Sequence, residues 1–194
     1  MRLKEYFQKF KGTSTPPPRV PLTEVFWSFI GGFLGVSICG LISSYFLEPR
    51  GLTLFIGSMG ASAVLVYGAI KSPFAQPRNV VGGHFFSALM GVISYKLIGE
   101  PAWLSGALAV ALAILAMHLT RTLHPPGGAT ALIAVIGGEK IHNLGFVYPF
   151  IPATLGAMVL VLVGIFVNNV PRHRKYPEYW YKILMCSSPS SYQP

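Results

Sequence analysis

Aspartate is absent from this 194-residue chain, and charged residues of every kind make up only 11% of it. A soluble domain carries about 25%, so there are too few ionic groups to coat a water-facing surface of this size. The acidic side consists of six glutamates, against fifteen Lys and Arg. Cysteine is scarce too. Cys39 falls in an apolar run and Cys186 in a polar tail, which argues against a disulfide between them and leaves no metal-ligand spacing. GxSxG, HExxH, P-loop and dinucleotide fingerprints are missing, so the expectation is no enzyme, no cofactor and no metal. Met1-Arg2-Leu3-Lys4-Glu5 is not followed by an apolar leader core, and no long Ser-rich transit segment occurs. The expected host is therefore a prokaryotic plasma (inner) membrane.

What the chain does have is apolar residues: 52% hydrophobic, 13% aromatic and a mean hydropathy of +0.54. Disordered chains are poor in both classes. Six spans of about 20 residues would consume roughly 120 positions and leave only short loops and two tails. The net charge of +9 crowds into the termini, a pattern of membrane topology and not of nucleic-acid binding. Three parts follow: a basic cytoplasmic segment 1–21, a transmembrane domain 22–170, and a basic aromatic tail 171–194. In the first part Leu3, Phe7 and Phe10 share one helical face among Lys and Arg, as in a short helix lying on lipid; a solvated tail is the alternative. Tyr176, Tyr179, Trp180 and Tyr181 in the tail suit the headgroup belt.

The apolar runs are Val25 to Leu47, Leu52 to Ile70, Val80 to Ile98, Ala102 to Leu123, Ala129 to Ile136 and Tyr148 to Val167. The second is interrupted by Gly57-Ser58-Met59-Gly60, and the fifth holds eight residues, about 12 Å as helix, too short to span alone. A loop with Glu139, Lys140 and His142 follows it. Gly31 and Gly35 form a GxxxG pair for close helix approach, as a dimer seam or, more commonly, within one protomer. If all six segments cross, only Arg50, Lys96 and Lys140 among the basic residues fall outside, and both termini are cytoplasmic. Four spans with two re-entrant segments would leave the termini on the same side.

Gly60-Ala61-Ser62-Ala63 is echoed by Gly128-Ala129-Thr130-Ala131, each after a glycine-rich break and before a Pro-Phe pair. The expected fold is all-α, with two three-segment halves, 22–98 and 101–170, forming an inverted repeat with broken half-helices. The first amides of each short helix would point at a small anion, with Ser58, Gly60, Ala61 and Ser62 on one side and Gly127, Gly128, Ala129 and Thr130 on the other. Tight helix packing is the competing use of those glycines. No carboxylate lies inside any apolar run, whereas donors do. Arg121 would attract an anion and His124 would order the broken loop. Arg78, Asn79, His84 and His118 are accessory candidates, for proton relay, anion contact or a metal. Plain packing is the competing role for His118, and headgroup anchoring for Arg78.

His124-Pro125-Pro126-Gly127-Gly128-Ala129-Thr130-Ala131 resembles the signature of the HPP family of integral membrane proteins. Ser72-Pro73-Phe74-Ala75-Gln76-Pro77-Arg78-Asn79 with Gly82-Gly83-His84, and Gly57-Ser58-Met59-Gly60-Ala61-Ser62-Ala63, are similar to its other blocks. The likeness covers about residues 20–180. The family is usually described as four-spanning, and plastid and cyanobacterial members are associated with nitrite transport, so the resemblance implies a nitrite permease. Some relatives carry a C-terminal regulatory CBS region, which this chain is not expected to have. Composition and spacing alone reach a small anion, membrane lipid and a second copy of the chain as partners, without nucleic acid. The alternative is a membrane scaffold or sensor without flux, whose basic tails bind lipid or a partner.

Overall fold

The computed structural model describes residues 3–12 and 14–180, and all regular structure among them is helical. The helices are α1 (Leu3–Gln8), α2 (Leu22–Ile42), α3 (Gly57–Ala63), α4 (Pro77–Ile98), α5 (Ala102–Thr120), α6 (Pro126–Ile136), α7 (Glu139–His142) and α8 (Leu155–Asn168). Four continuous helical stretches are long and apolar enough to cross a bilayer: Leu22–Arg50, Pro77–Ile98, Ala102–Thr120 and Gly145–Asn168. Large apolar side chains such as Phe29, Phe33, Trp103, Leu119 and Phe166 stand exposed on the outside. That is the surface expected of a multi-pass membrane protein, whose solvent is lipid.

α2 continues through a π-helical turn, Ser43–Leu47, and a 3₁₀ turn, Glu48–Arg50, to Gly51, whose φ of 74° reverses the chain. Ser43 ties the reversal down: its hydroxyl bonds Glu48 Oε1 at 3.0 Å and accepts from the Leu54 amide at 3.1 Å. The chain then runs back along α2 without helix until Gly57. Gly57-Ser58-Met59-Gly60 is thus the start of a helix and not an interruption within one. α3 passes directly into a π-helical turn, Val64–Gly68, whose Tyr67 is seated on Gly31 and Gly35. A Cβ on Gly31 would stand 2.6 Å from Tyr67 Cδ1, so the GxxxG pair serves packing within the chain.

The return elements are equally specific. Ser72 accepts from the Phe74 amide at 3.2 Å, shaping the 3₁₀ turn Pro73–Ala75, and Pro77 opens α4 at a first-turn position where no amide is needed. α5 stops at Thr120, three residues short of its apolar run, because Arg121 adopts the left-handed conformation at φ 56°. The adjacent prolines do not simply break a helix: Pro126 begins α6. α6 has eleven residues, about 16 Å, and packs between α4 and α5. Residues 139–142, expected as loop, form α7. The last helix bends at Ile151 (φ −131°, ψ 118°) within Pro149–Thr154 before α8.

Glycines set the approach of the short helices to the long ones. On α4, Gly83 and Gly91 receive His124 and Ala131; on α8, Gly156 and Gly164 receive Met59 and Val66. α8 packs on α2 and α3, while α4 packs on α5 and α6. One apolar core joins α2, α3 and α8 around Tyr67, Leu160 and Tyr176, and another joins α5 and α6 around Met117 and Ala131. The N-terminal segment is helical as α1, with Tyr6, Phe7 and Phe10 in edge contact. In the tail, Tyr176 is buried and not in a headgroup belt: its hydroxyl donates to Ala75 O at 2.7 Å. Tyr181 and Cys186 lie outside the described residues.

Candidate functional site

Four polar side chains from four elements meet inside the protein: Ser62 of α3, His84 of α4, His124 before α6 and Thr130 of α6. All four are 0% exposed. Ser62 Oγ lies 2.6 Å from His84 Nε2 and 2.8 Å from His124 Nε2. His84 Nδ1 lies 2.7 Å from Thr130 Oγ1, and His124 Nδ1 lies 2.7 Å from the carbonyl of Phe74. Every imidazole nitrogen therefore has a partner.

The hydrogens in this chain are ordered by one fixed end. The Phe74 carbonyl only accepts, so His124 Nδ1 carries the proton it donates. With both rings neutral, His124 Nε2 then accepts from the Ser62 hydroxyl, which has spent its single hydrogen. His84 Nε2 must donate to Ser62, and His84 Nδ1 accepts from Thr130. The two rings are held in opposite tautomers.

Local sequence explains the assembly. A Cβ on Gly83 would stand 2.5 Å from His124 Cβ and 2.9 Å from Thr122 O, so glycine is what lets the connector lie against α4. A Cβ on Gly127 would meet Ser87 Oγ at 2.5 Å and Met117 Sδ at 3.0 Å. Asn79 donates to Leu123 O and Arg78 to Thr120 O, each at 2.8 Å, fixing both ends of the connector's approach. Tyr148 donates to Thr130 O at 2.9 Å, a support that no motif marks.

The other sequence candidates sit elsewhere. Ser58 is buried with an unpartnered hydroxyl, while Gly60 and Ala61 are exposed on the far side of α3. The start of α3 lines an apolar cavity of about 340 Å³ with Val36, Cys39, Phe55 and Met59. The α6 start is closed by its own connector, since the Gly127 amide donates to His124 O at 2.8 Å and the Gly128 amide to Pro125 O at 3.0 Å. Those two amides are therefore not left unpartnered, as a helix start would leave them: the turn formed by Pro125 and Pro126 folds two carbonyls back over them. The α6 start meets Ser62 in the last turn of α3, not the first turn of α3. Gly128 is half-buried, Ala129 exposed. His118 and Arg121 are exposed, and the left-handed Arg121 breaks the helical line that would have aligned them with His124. Among the described residues no group of three His, Cys, Asp or Glu is arranged to hold a metal.

A second polar cluster, absent from the sequence reading, closes one end of the bundle. Arg174 is 5% exposed. Its guanidinium donates to Glu24 Oε2 at 2.7 Å, Ser28 Oγ at 2.9 Å and Asn168 Oδ1 at 3.0 Å, and His173 pairs with Glu24 at 2.9 Å. Beside it lies a cavity of about 630 Å³ bordered by Lys71, Ser72, Glu24 and His173.

Comparison with known proteins supplies the lineage. The transmembrane region of the HPP family matches residues 17–177. A transmembrane protein of Dictyostelium discoideum is 43% identical over 180 residues, covering 91% of this chain and 58% of the relative. Another from the same organism is 42% identical over 186 residues, covering 93% and 65%. The chain thus spans about three-fifths of the length of the curated relatives it matches. No solved structure matches.

Proposed function

We propose that this chain, which belongs to the HPP family of transmembrane proteins, carries a small inorganic anion across the membrane, and that the anion is nitrite. The observation that carries the reading is the buried set Ser62, His84, His124 and Thr130: rich in hydrogen-bond donors, without a carboxylate, and placed where α6 begins. A buried polar group costs free energy unless satisfied, and in lipid surroundings such groups mark solute pathways. Nitrite would take the Ser62 hydroxyl and the His84 Nε2 hydrogen in place of their present partners. The choice of nitrite rests on the family resemblance, and the choice of a small anion on the donor set. In this reading the chain is a transporter and not an enzyme.

We read the halves 22–98 and 101–170 as an inverted repeat of three crossings each, the second crossing in each half being a short helix extended by non-helical chain. Three features support it. Ser62 and Thr130, equivalent in the echoed segments, engage the two nitrogens of one ring. The third helix of each half packs on the first two of the other. Glycines spaced alike on α4 and α8 receive the two short helices. We assign both termini to the cytoplasmic side of a prokaryotic plasma membrane, where Lys71, His173 and the exposed Arg121 would raise the local anion concentration. A second copy would cover the open small-residue face at Gly32, Gly57, Gly60 and Gly68, where an added Cβ meets nothing.

The test is nitrite uptake by proteoliposomes, corrected for protein-free vesicles, with Ser62→Ala as the variant that lacks the proposed anion contact. Wild-type uptake that saturates and is lost in the variant supports the reading. Uptake equal to that of empty vesicles, with no nitrite-dependent rise in melting temperature, supports the scaffold reading instead.

A further inference from the structure

We propose that Ser62, His84, His124 and Thr130 form a one-proton relay, and that it moves one proton with each anion. This deepens the transport reading and rests on it. The argument begins with the neutral chain derived above, in which hydrogens run from Thr130 to His84, from His84 to Ser62, from Ser62 to His124 and from His124 to the Phe74 carbonyl. A proton delivered to Thr130 Oγ1 releases that hydroxyl's own hydrogen to His84 Nδ1. His84 becomes imidazolium, and the Thr130 hydroxyl turns to Pro126 O, which lies 3.3 Å away. His84 then passes its Nε2 hydrogen to Ser62 Oγ as Ser62 passes its own to His124 Nε2. The charge now sits on His124, and His84 is neutral with its hydrogen on Nδ1. Because the Phe74 carbonyl cannot take a proton onward, the proton leaves, once the anion has crossed, by the same steps in reverse through Thr130, which restores the starting tautomers. Each step breaks one bond to hydrogen for every one it makes, and no oxidant or reductant is needed. Each state leaves every nitrogen and hydroxyl of the set partnered.

Two protons cannot be held this way. If both rings were imidazolium, both Nε2 hydrogens would point at Ser62 Oγ, whose own hydrogen would lose its acceptor, and two cations would stand with ring centres 5.0 Å apart. No carboxylate touches the four side chains. α3, α6 and α8 carry no ionisable side chain, and the exposed His118 is on α5. The other titratable groups on neighbouring elements include Tyr148, which donates to Thr130 O, Tyr67, which donates to Leu160 O, and Tyr176, which donates to Ala75 O. Tyr95, stacked on His142, and the buried Cys39 of α2 are others. The cations on His84's own helix are Arg78, which donates to Thr120 O, and Lys96, in the last turn over the Phe146 ring. A negative anion and a single proton together would cross as a neutral pair, which removes most of the cost of a lone charge in lipid.

Two measurements on the full chain test this. In bilayers, ¹⁵N-histidine resonances assigned by loss in His84→Gln and His124→Gln should show opposite neutral tautomers at alkaline pH. On acidification the pair should take up one proton shared by both rings, and Ser62→Ala should make the rings titrate separately. Matching tautomers, or separate titrations already in the wild type, would overturn the relay. In proteoliposomes, an outside-acid step of one pH unit should accumulate nitrite about tenfold at equilibrium, with no response to a membrane potential set by a potassium gradient. Nitrite uptake driven by an inside-positive potential and indifferent to the pH step would overturn the coupling while leaving transport standing. Absence of nitrite uptake in the wild type would remove the transport reading, and with it the coupling, while the resonances decide the relay on their own.

Discussion

His84 and His124 stand with ring centres 5.0 Å apart and turn their ε nitrogens to a single hydroxyl, that of Ser62. A hydroxyl with one hydrogen cannot donate to both, so the pair is asymmetric although the two contacts look alike. That asymmetry ties α3, α4 and the α6 connector to each other, and it makes the site sensitive to any shift of the connector.

Gly83→Ala tests the connector. Its Cβ would collide with His124 Cβ and with the backbone oxygen of Thr122, which cannot swing away as a flexible side chain would. Nitrite uptake should fall at least tenfold, about the effect of a 1.4 kcal/mol loss. The protein should still purify as folded material by size exclusion.

Gly31→Val tests the seating of Tyr67. The buried Tyr67 also donates to Leu160 O at 3.0 Å, so it cannot retreat without losing a hydrogen bond. Overpacking of this kind costs about 1–3 kcal/mol, read as a lower melting temperature in nanodiscs.

Glu24→Gln tests the lock at the chain's C-terminal segment. It removes the carboxylate facing the nearly buried Arg174 and costs about 2–3 kcal/mol, the scale of a hydrogen bond to a charged group. Adding Arg174→Met to Glu24→Gln should recover part of that loss, because a buried cation without its partner is worse than an apolar side chain. Thermal melts of the two single variants and the double variant check this.

Arg121→Ala tests steering. Because Arg121 is exposed, its attraction for an anion should be visible at low ionic strength and screened at high. Initial nitrite uptake should drop a few-fold, by about the factor that one surface charge gives, in dilute buffer and match the wild type in concentrated salt.

The sequence carries part of this site openly. The echo that pairs Ser62 with Thr130, and the His-Pro-Pro-Gly-Gly break beside them, are local patterns, and the residues they single out converge on His84. Local patterns misjudge the helix ends. Leu52 to Ile56 reads as part of an apolar helix but is not helical, because hydropathy does not distinguish irregular apolar chain from helix. The first amides of α6 look unpartnered on paper, yet the connector folds its own carbonyls over them. The Glu24–Arg174 lock could not be read at all: its partners are 150 residues apart, and each alone resembles an ordinary charge at a membrane edge. Tyr176, placed among headgroup aromatics by composition, is drawn inside by Ala75 O, a backbone group that no side-chain pattern advertises.

The most direct measurement is addition of nitrite to the bilayer-embedded protein while the ring nitrogens of His84 and His124 are observed by ¹⁵N resonance. Saturable shifts of both Nε2 signals, with the exposed His118 unmoved, are the predicted result. Saturating nitrite that leaves both signals where they were would contradict the placement of the anion at Ser62.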